Sequence, residues 1–144
     1  MTTRRHFAPL WLLALVAAGC SQHPDPALAL RGTSDGPPAI ALPDNLADLV
    51  AKADAKQGEV LFVQKGCKAC HTLSDAKLVG PGLQHVLQRR QLPWVARMIL
   101  RPDVMVKTDA DAKQLFAVAM TPMANQNVNA TTELPALLAL LNSL

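Results

Sequence analysis

The chain has 144 residues, with 14 Lys and Arg against 11 Asp and Glu, half of it hydrophobic and only 3% aromatic. That length allows one modest domain with extensions. Arg4 and Arg5 stand in a segment read below as removed, which leaves 12 basic against 11 acidic residues and no charge footprint for nucleic acid.

The N-terminus has two parts. A positive start at Arg4 and Arg5 precedes an apolar run from Leu10 to Ala18, and small residues then lead to Cys20. The run is too short for a permanent span, which needs roughly 20 apolar residues, so 1–19 reads as an export signal. Val16-Ala17-Ala18-Gly19-Cys20 resembles a lipobox, which implies cleavage before Cys20 and its acylation, hence a lipid anchor. The alternative is an ordinary signal cut near Ala18 that leaves Cys20 as a thiol. Ser21, where an Asp would resemble an inner-membrane retention signal, favours the outer membrane. Thr3-Arg4-Arg5-His6-Phe7 also resembles a twin-arginine signal.

Residues 20–52 carry five prolines between Pro24 and Pro43, interspersed with glycine, serine and threonine. Such composition buries too little surface to offset chain entropy and reads as a tether between anchor and domain. The folded part is expected at 53–144, all-α, because apolar residues recur at helical spacing with no strand alternation. A first helix is expected over 53–65, with Val60, Leu61 and Phe62 inward and Gly66 ending it. A second is expected over 93–100, between Pro93 and Pro102. Thr108 is expected to cap a third over 109–119. The last is expected from 131 or 132 to 144, its Leu134, Leu137, Leu138 and Leu141 forming one stripe. Only Phe62, Trp94 and Phe116 give this domain aromatic bulk, so another source of apolar surface is required.

Cys67-Lys68-Ala69-Cys70-His71 supplies that source. Two thiols three positions apart reach the two vinyl groups of a haem, and the adjacent histidine lies beneath the ring to ligate iron. A zinc site would need a second ligand pair, and a thioredoxin-like dithiol would need a preceding strand; neither pattern is present. Because haem is attached after export, the general export route fits better than a pathway for folded proteins. The sixth ligand must be sought among Met98, Met105, Met120 and Met123. Met98 falls at apolar helical spacing, and Met105 follows His71 too closely to wrap to the opposite face. Met120 and Met123 flank Pro122 in an irregular stretch between helices, where a thioether can be presented.

From Gly58 onward the sequence resembles a class I c-type cytochrome of the small bacterial kind. Gly58-Glu59-Val60-Leu61-Phe62 resembles that family's first helix, whose glycine lets the last helix cross closely. Gly80-Pro81-Gly82-Leu83 resembles the segment whose proline carbonyl accepts the N–H of the proximal histidine. Met123-Ala124-Asn125-Gln126-Asn127-Val128 resembles its ligand loop, which implies Met123 as distal ligand. Proline precedes Met123 here, where the family often has it following, and this keeps Met120 open. Where the family carries an aromatic on the last helix, Leu140 or Leu141 stands. Trp94 either donates to a haem propionate or packs in the core, and Arg89, Arg90 or Arg97 is a candidate to neutralise a propionate. His85 reads as surface. Lys65, Lys68, Lys77 and Lys107 flank the haem segments and suit an acidic partner.

The resemblance implies one covalent haem c, His71 and Met123 on the iron, and a one-electron carrier rather than an enzyme. The implied partners are redox proteins: a quinol-oxidising complex or cytochrome upstream, and an oxidase or reductase downstream. A lipid-anchored periplasmic site follows from the N-terminus. The competing expectation is a peroxidase-like or gas-sensing cytochrome with a labile distal ligand.

Overall fold

A computed structural model describes residues 40–144, and the expected signal, Cys20 and most of the expected tether lie outside them. The described residues are all-helical: α1 (Leu46–Lys52), α2 (Ala55–Gln64), a 3-10 turn at Cys67–Ala69, α3 (Val86–Arg89), α4 (Leu92–Leu100), α5 (Pro102–Thr108), α6 (Ala110–Ala119) and α7 (Leu134–Asn142). None of these helices is long and apolar enough to cross a membrane.

α7 is the axis of the core. Its leucine stripe is buried, and Ala136 and Leu140 are buried beside it, so almost the whole helix is enclosed by α1, α2, α3 and α4. Each such leucine contributes about 2 kcal/mol on leaving water. The tightest packing is α2 across α7. A Cβ at Gly58 would overlap the Ala136 carbonyl oxygen and lie 2.7 Å from Leu140 Cβ, so glycine sets the crossing distance. Leu140 and Leu141, both buried, fill the place of the family's aromatic.

Several boundaries differ from the sequence reading. Among the described residues, the stretch 40–52, ahead of the expected start at 53, is already packed. Ile40 is buried, Arg97 Nε donates to its carbonyl at 3.0 Å, and Leu46 and Val50, one turn apart on α1, are buried against the core. The prolines around this stretch hid a two-turn helix. Val60 is 46% exposed, while Leu61 and Phe62 point inward as expected; three consecutive helical residues cannot share one buried face. Pro102 opens α5 instead of merely ending α4, because a proline lacking its N–H costs nothing at a first helical position. Met105 is therefore helical and fully buried.

Caps explain the other shifts. Asp109 caps α6 by accepting from Ala112 N at 2.9 Å, whereas the Thr108 hydroxyl donates back to the Val104 carbonyl. The last helix starts at Leu134, because Asn129 Oδ1 already accepts from Thr131 N and Thr132 N, both at 3.0 Å, and holds that stretch as a turn. Gly66 does end α2, in the left-handed region at φ 74°.

Candidate functional site

The 3-10 turn after Gly66 arranges the attachment motif. His71 N and Cys70 N both donate to the Cys67 carbonyl, at 3.0 and 3.1 Å. These bonds fold the backbone of Cys70 and His71 back beside Cys67. Both cysteines are free thiols and half-buried. Burial pushes the Cys67 thiol above its ordinary value.

His71 is fixed by the loop that follows. Its Nδ1 lies 2.9 Å from the Pro81 carbonyl oxygen, an acceptor only, so Nδ1 carries the proton and Nε2 keeps its lone pair for a metal. Gly80 lies against the imidazole: a Cβ there would come within 2.5 Å of His71 Cε1. The loop is closed by backbone bonds from Gly80 N to Cys70 O at 2.8 Å and from Leu83 N to Thr72 O at 3.0 Å. Arg89 adds a bond to the Gly82 carbonyl at 3.0 Å.

The candidate distal residues lie at the far end of α6. Met120 is its C-cap, in the left-handed region at φ 53°, and is 79% exposed. Met123 follows in irregular chain and is half-buried. Met105 is sealed in the core, and Met98 packs against the core from α4. The exposed apolar residues Phe116, Val118 and Met120 belong to this arm, and Leu78 and Val79 belong to the histidine loop.

These features fit a haem: paired thiols beside a histidine of defined tautomer, a glycine that admits its ring, and thioethers on a separate segment. Among the described residues no group of three or more His, Cys, Asp or Glu is placed to hold a bare metal ion, as the zinc reading required.

The more peripheral candidates are occupied elsewhere. Trp94 is buried and its Nε1–H donates to Asp109 Oδ1 at 3.1 Å, so its single donor is committed to a carboxylate and not to a propionate. Arg90 pairs with Asp111 at 3.4 Å, Arg97 holds the Ile40 carbonyl, and Arg89 braces the histidine loop. Lys65 pairs with Glu133 at 2.6 Å. His85, at φ 54°, is exposed at the start of α3. Sequence reasoning missed Asp109 as the indole acceptor. Its only sequence trace was an acidic residue beside a helix start.

No protein-family profile matches the chain, and no curated protein is similar enough to count as a match. Solved structures are similar. Cytochrome c from Rhodothermus marinus is 30% identical, the alignment covering 83% of this chain and 96% of that one, with a TM-score of 0.59. An engineered cytochrome c from the same organism, Rma TDE, is 29% identical over the same shares with a TM-score of 0.59. That engineered protein bound to a carbene intermediate gives 29% identity and a TM-score of 0.51. With the Cys67–His71 motif, the Pro81-held histidine and the α2–α7 crossing in place, the chain belongs to the cytochrome c family, as a monohaem protein carrying covalent haem c.

Proposed function

We propose that this cytochrome is a one-electron carrier, exported, and held at a membrane by a lipid on Cys20, with His71 and Met123 as axial ligands. The observation that carries the carrier reading is the His71–Pro81 bond, which builds a fixed proximal ligand, together with a thioether segment on a separate arm. Bound haem supplies the ferric–ferrous couple. The chain's residues do the rest. Pro81 holds the imidazole orientation, and Gly80 admits the ring. Cys67 and Cys70, on the 3-10 turn, would hold the haem covalently. Met123 is favoured over Met120 because it is half-buried on the irregular segment, whereas Met120 extends into solvent from a helix end.

The same reading takes 1–19 as an export signal and the chain that follows as a tether, which leaves the domain free to swing between partners. Those partners are redox proteins: a quinol-oxidising complex or cytochrome as donor, and an exported oxidase or reductase as acceptor. Exposed Lys68, Lys77 and Lys107 would favour an acidic docking face.

A redox titration of the full-length holoprotein tests the carrier reading. The expected result is a reversible Nernstian curve for one electron, with the reduced protein inert to carbon monoxide. Prompt carbon monoxide binding by the reduced protein would instead support a peroxidase-like or gas-binding cytochrome with a displaceable distal ligand. Metabolic labelling with a fatty acid, lost in Cys20→Ser, tests the anchor.

A further inference from the structure

Arg90 and Asp109 are the two buried charged residues among the described ones, at 8% and 7% exposure. Burying a charge is costly unless it is paired, so such groups mark places where geometry is strongly specified. Both converge on Trp94. The Arg90 guanidinium lies over the indole, 5.0 Å from the ring centroid, and also reaches Asp111 at 3.4 Å. Asp109 Oδ1 accepts from Trp94 Nε1 at 3.1 Å and from Ala112 N at 2.9 Å. One carboxylate oxygen therefore caps α6 and ties it to α4. Arg90 and Asp111 make a second tie to the first turn of α6.

Beyond that turn α6 keeps one core contact, the partly buried Leu115, and its last turn has none. Ala112 is its one buried residue, and its main packing partner is α5. Its direction is accordingly set at the N-terminal end. A ten-residue helix is about 15 Å long, so a tilt of about 10° at the clamp displaces the far end by roughly 3 Å. That far end is Met120, three positions before Met123.

We propose that the Arg90–Trp94–Asp109–Asp111 cluster is a positioning device for the distal ligand, aiming the Met120–Met123 segment at the iron through α6 as a lever. The proposal rests on the reading that a thioether of this segment ligates iron.

The test uses full-length ferric holoprotein and imidazole as competing ligand, with the sulfur–iron charge-transfer band recorded in parallel. Asp109→Ala removes both the cap and the indole acceptor. It is expected to raise imidazole affinity about fivefold and weaken the band, in keeping with the loss of a helix cap. Asp109→Asn keeps an acceptor and a good cap and is expected to stay near wild type. Val50→Ala, in α1 against α7, loosens the core elsewhere and is expected to leave imidazole affinity unchanged. Asp109→Ala within twofold of wild type overturns the proposal, as does an equal rise in Val50→Ala. Should Asp109→Ala not accumulate as folded holoprotein, Trp94→Phe decides: raised affinity supports the lever, and unchanged affinity overturns it. Met120→Ala and Met123→Ala separate the two readings. If Met123→Ala loses the band while Asp109→Ala leaves it intact, the lever alone fails; if neither methionine variant loses it, the ligand assignment fails and the lever with it.

Discussion

The two segments proposed to hold the iron are built differently. The histidine loop, from Cys70 to Gln84, is cross-linked by backbone bonds at Gly80, Leu83 and Gln84, by Thr72 to the Ala76 carbonyl, and by Arg89 to Gly82. Thr121 to Val128 makes no backbone–backbone hydrogen bond among the described residues. Its polar contacts are short-range, Asn127 N to Asn125 Oδ1 and Gln126 to Ala124, apart from Lys65 reaching the Asn127 carbonyl at 3.3 Å. A rigid proximal half fixes where the iron sits. The distal half is anchored at its ends, by the clamp on α6 and by the Lys65–Glu133–Asn129 group before α7, and the proposed ligand bond would complete its middle. Such a division suits a carrier, because the iron must stay put while its surroundings change little between oxidation states.

The proximal half breaks most readily at Gly80. In Gly80→Ala the new methyl meets the His71 ring, so either the imidazole tilts away from Pro81 or the loop shifts. A loss of about 2–4 kcal/mol is expected, seen as a lowered denaturant midpoint with a disturbed haem spectrum. A substitution that left both unchanged would mean that the loop is as loose as the distal arm. The distal anchor should give a smaller effect. Asn129→Ala removes the acceptor for Thr131 N, the Thr131 hydroxyl and Thr132 N, and should cost about 1 kcal/mol while raising hydrogen exchange around Val128.

The smallest effect is electrostatic and depends on pH. Lys65, and then the Asn129 amide, hold the Glu133 carboxyl below its ordinary value. A carboxylate lowered on folding stabilises the native state above its unfolded pKa, near 4.3, and loses that contribution as pH falls through the folded value. Wild type should therefore exceed Glu133→Gln by about 0.5–1 kcal/mol near neutrality, with the gap closing in acid. Denaturant midpoints for both proteins across that range measure it. A gap constant with pH would assign the difference to packing.

The proximal half was legible in the sequence because its determinants are local. Two cysteines, one histidine and a Gly-Pro pair ten residues on specify the turn, the tautomer and the ring's neighbour without reference to distant chain. Gly58 was legible too, through the resemblance of the run from Gly58 to Phe62 to the family's first helix. What was not legible came from side chains acting at a distance. Trp94 found Asp109 fifteen positions on, Arg97 held Ile40 across 57 positions, and α1 packed where prolines suggested free chain. Pro102 misled for a related reason: a proline forbids a helix interior but favours a helix start, and only packing of Met105 decided between them. The methionine segment stayed open because its backbone is specified by few contacts of its own.

The sulfur–iron charge-transfer band of the oxidised full-length holoprotein tests the central claim most directly, recorded for wild type, Met120→Ala and Met123→Ala. A haem ligated by His71 and Met123 predicts the band in wild type and Met120→Ala and its loss in Met123→Ala. A wild type without the band, or a Met123→Ala variant that keeps it, would contradict the account.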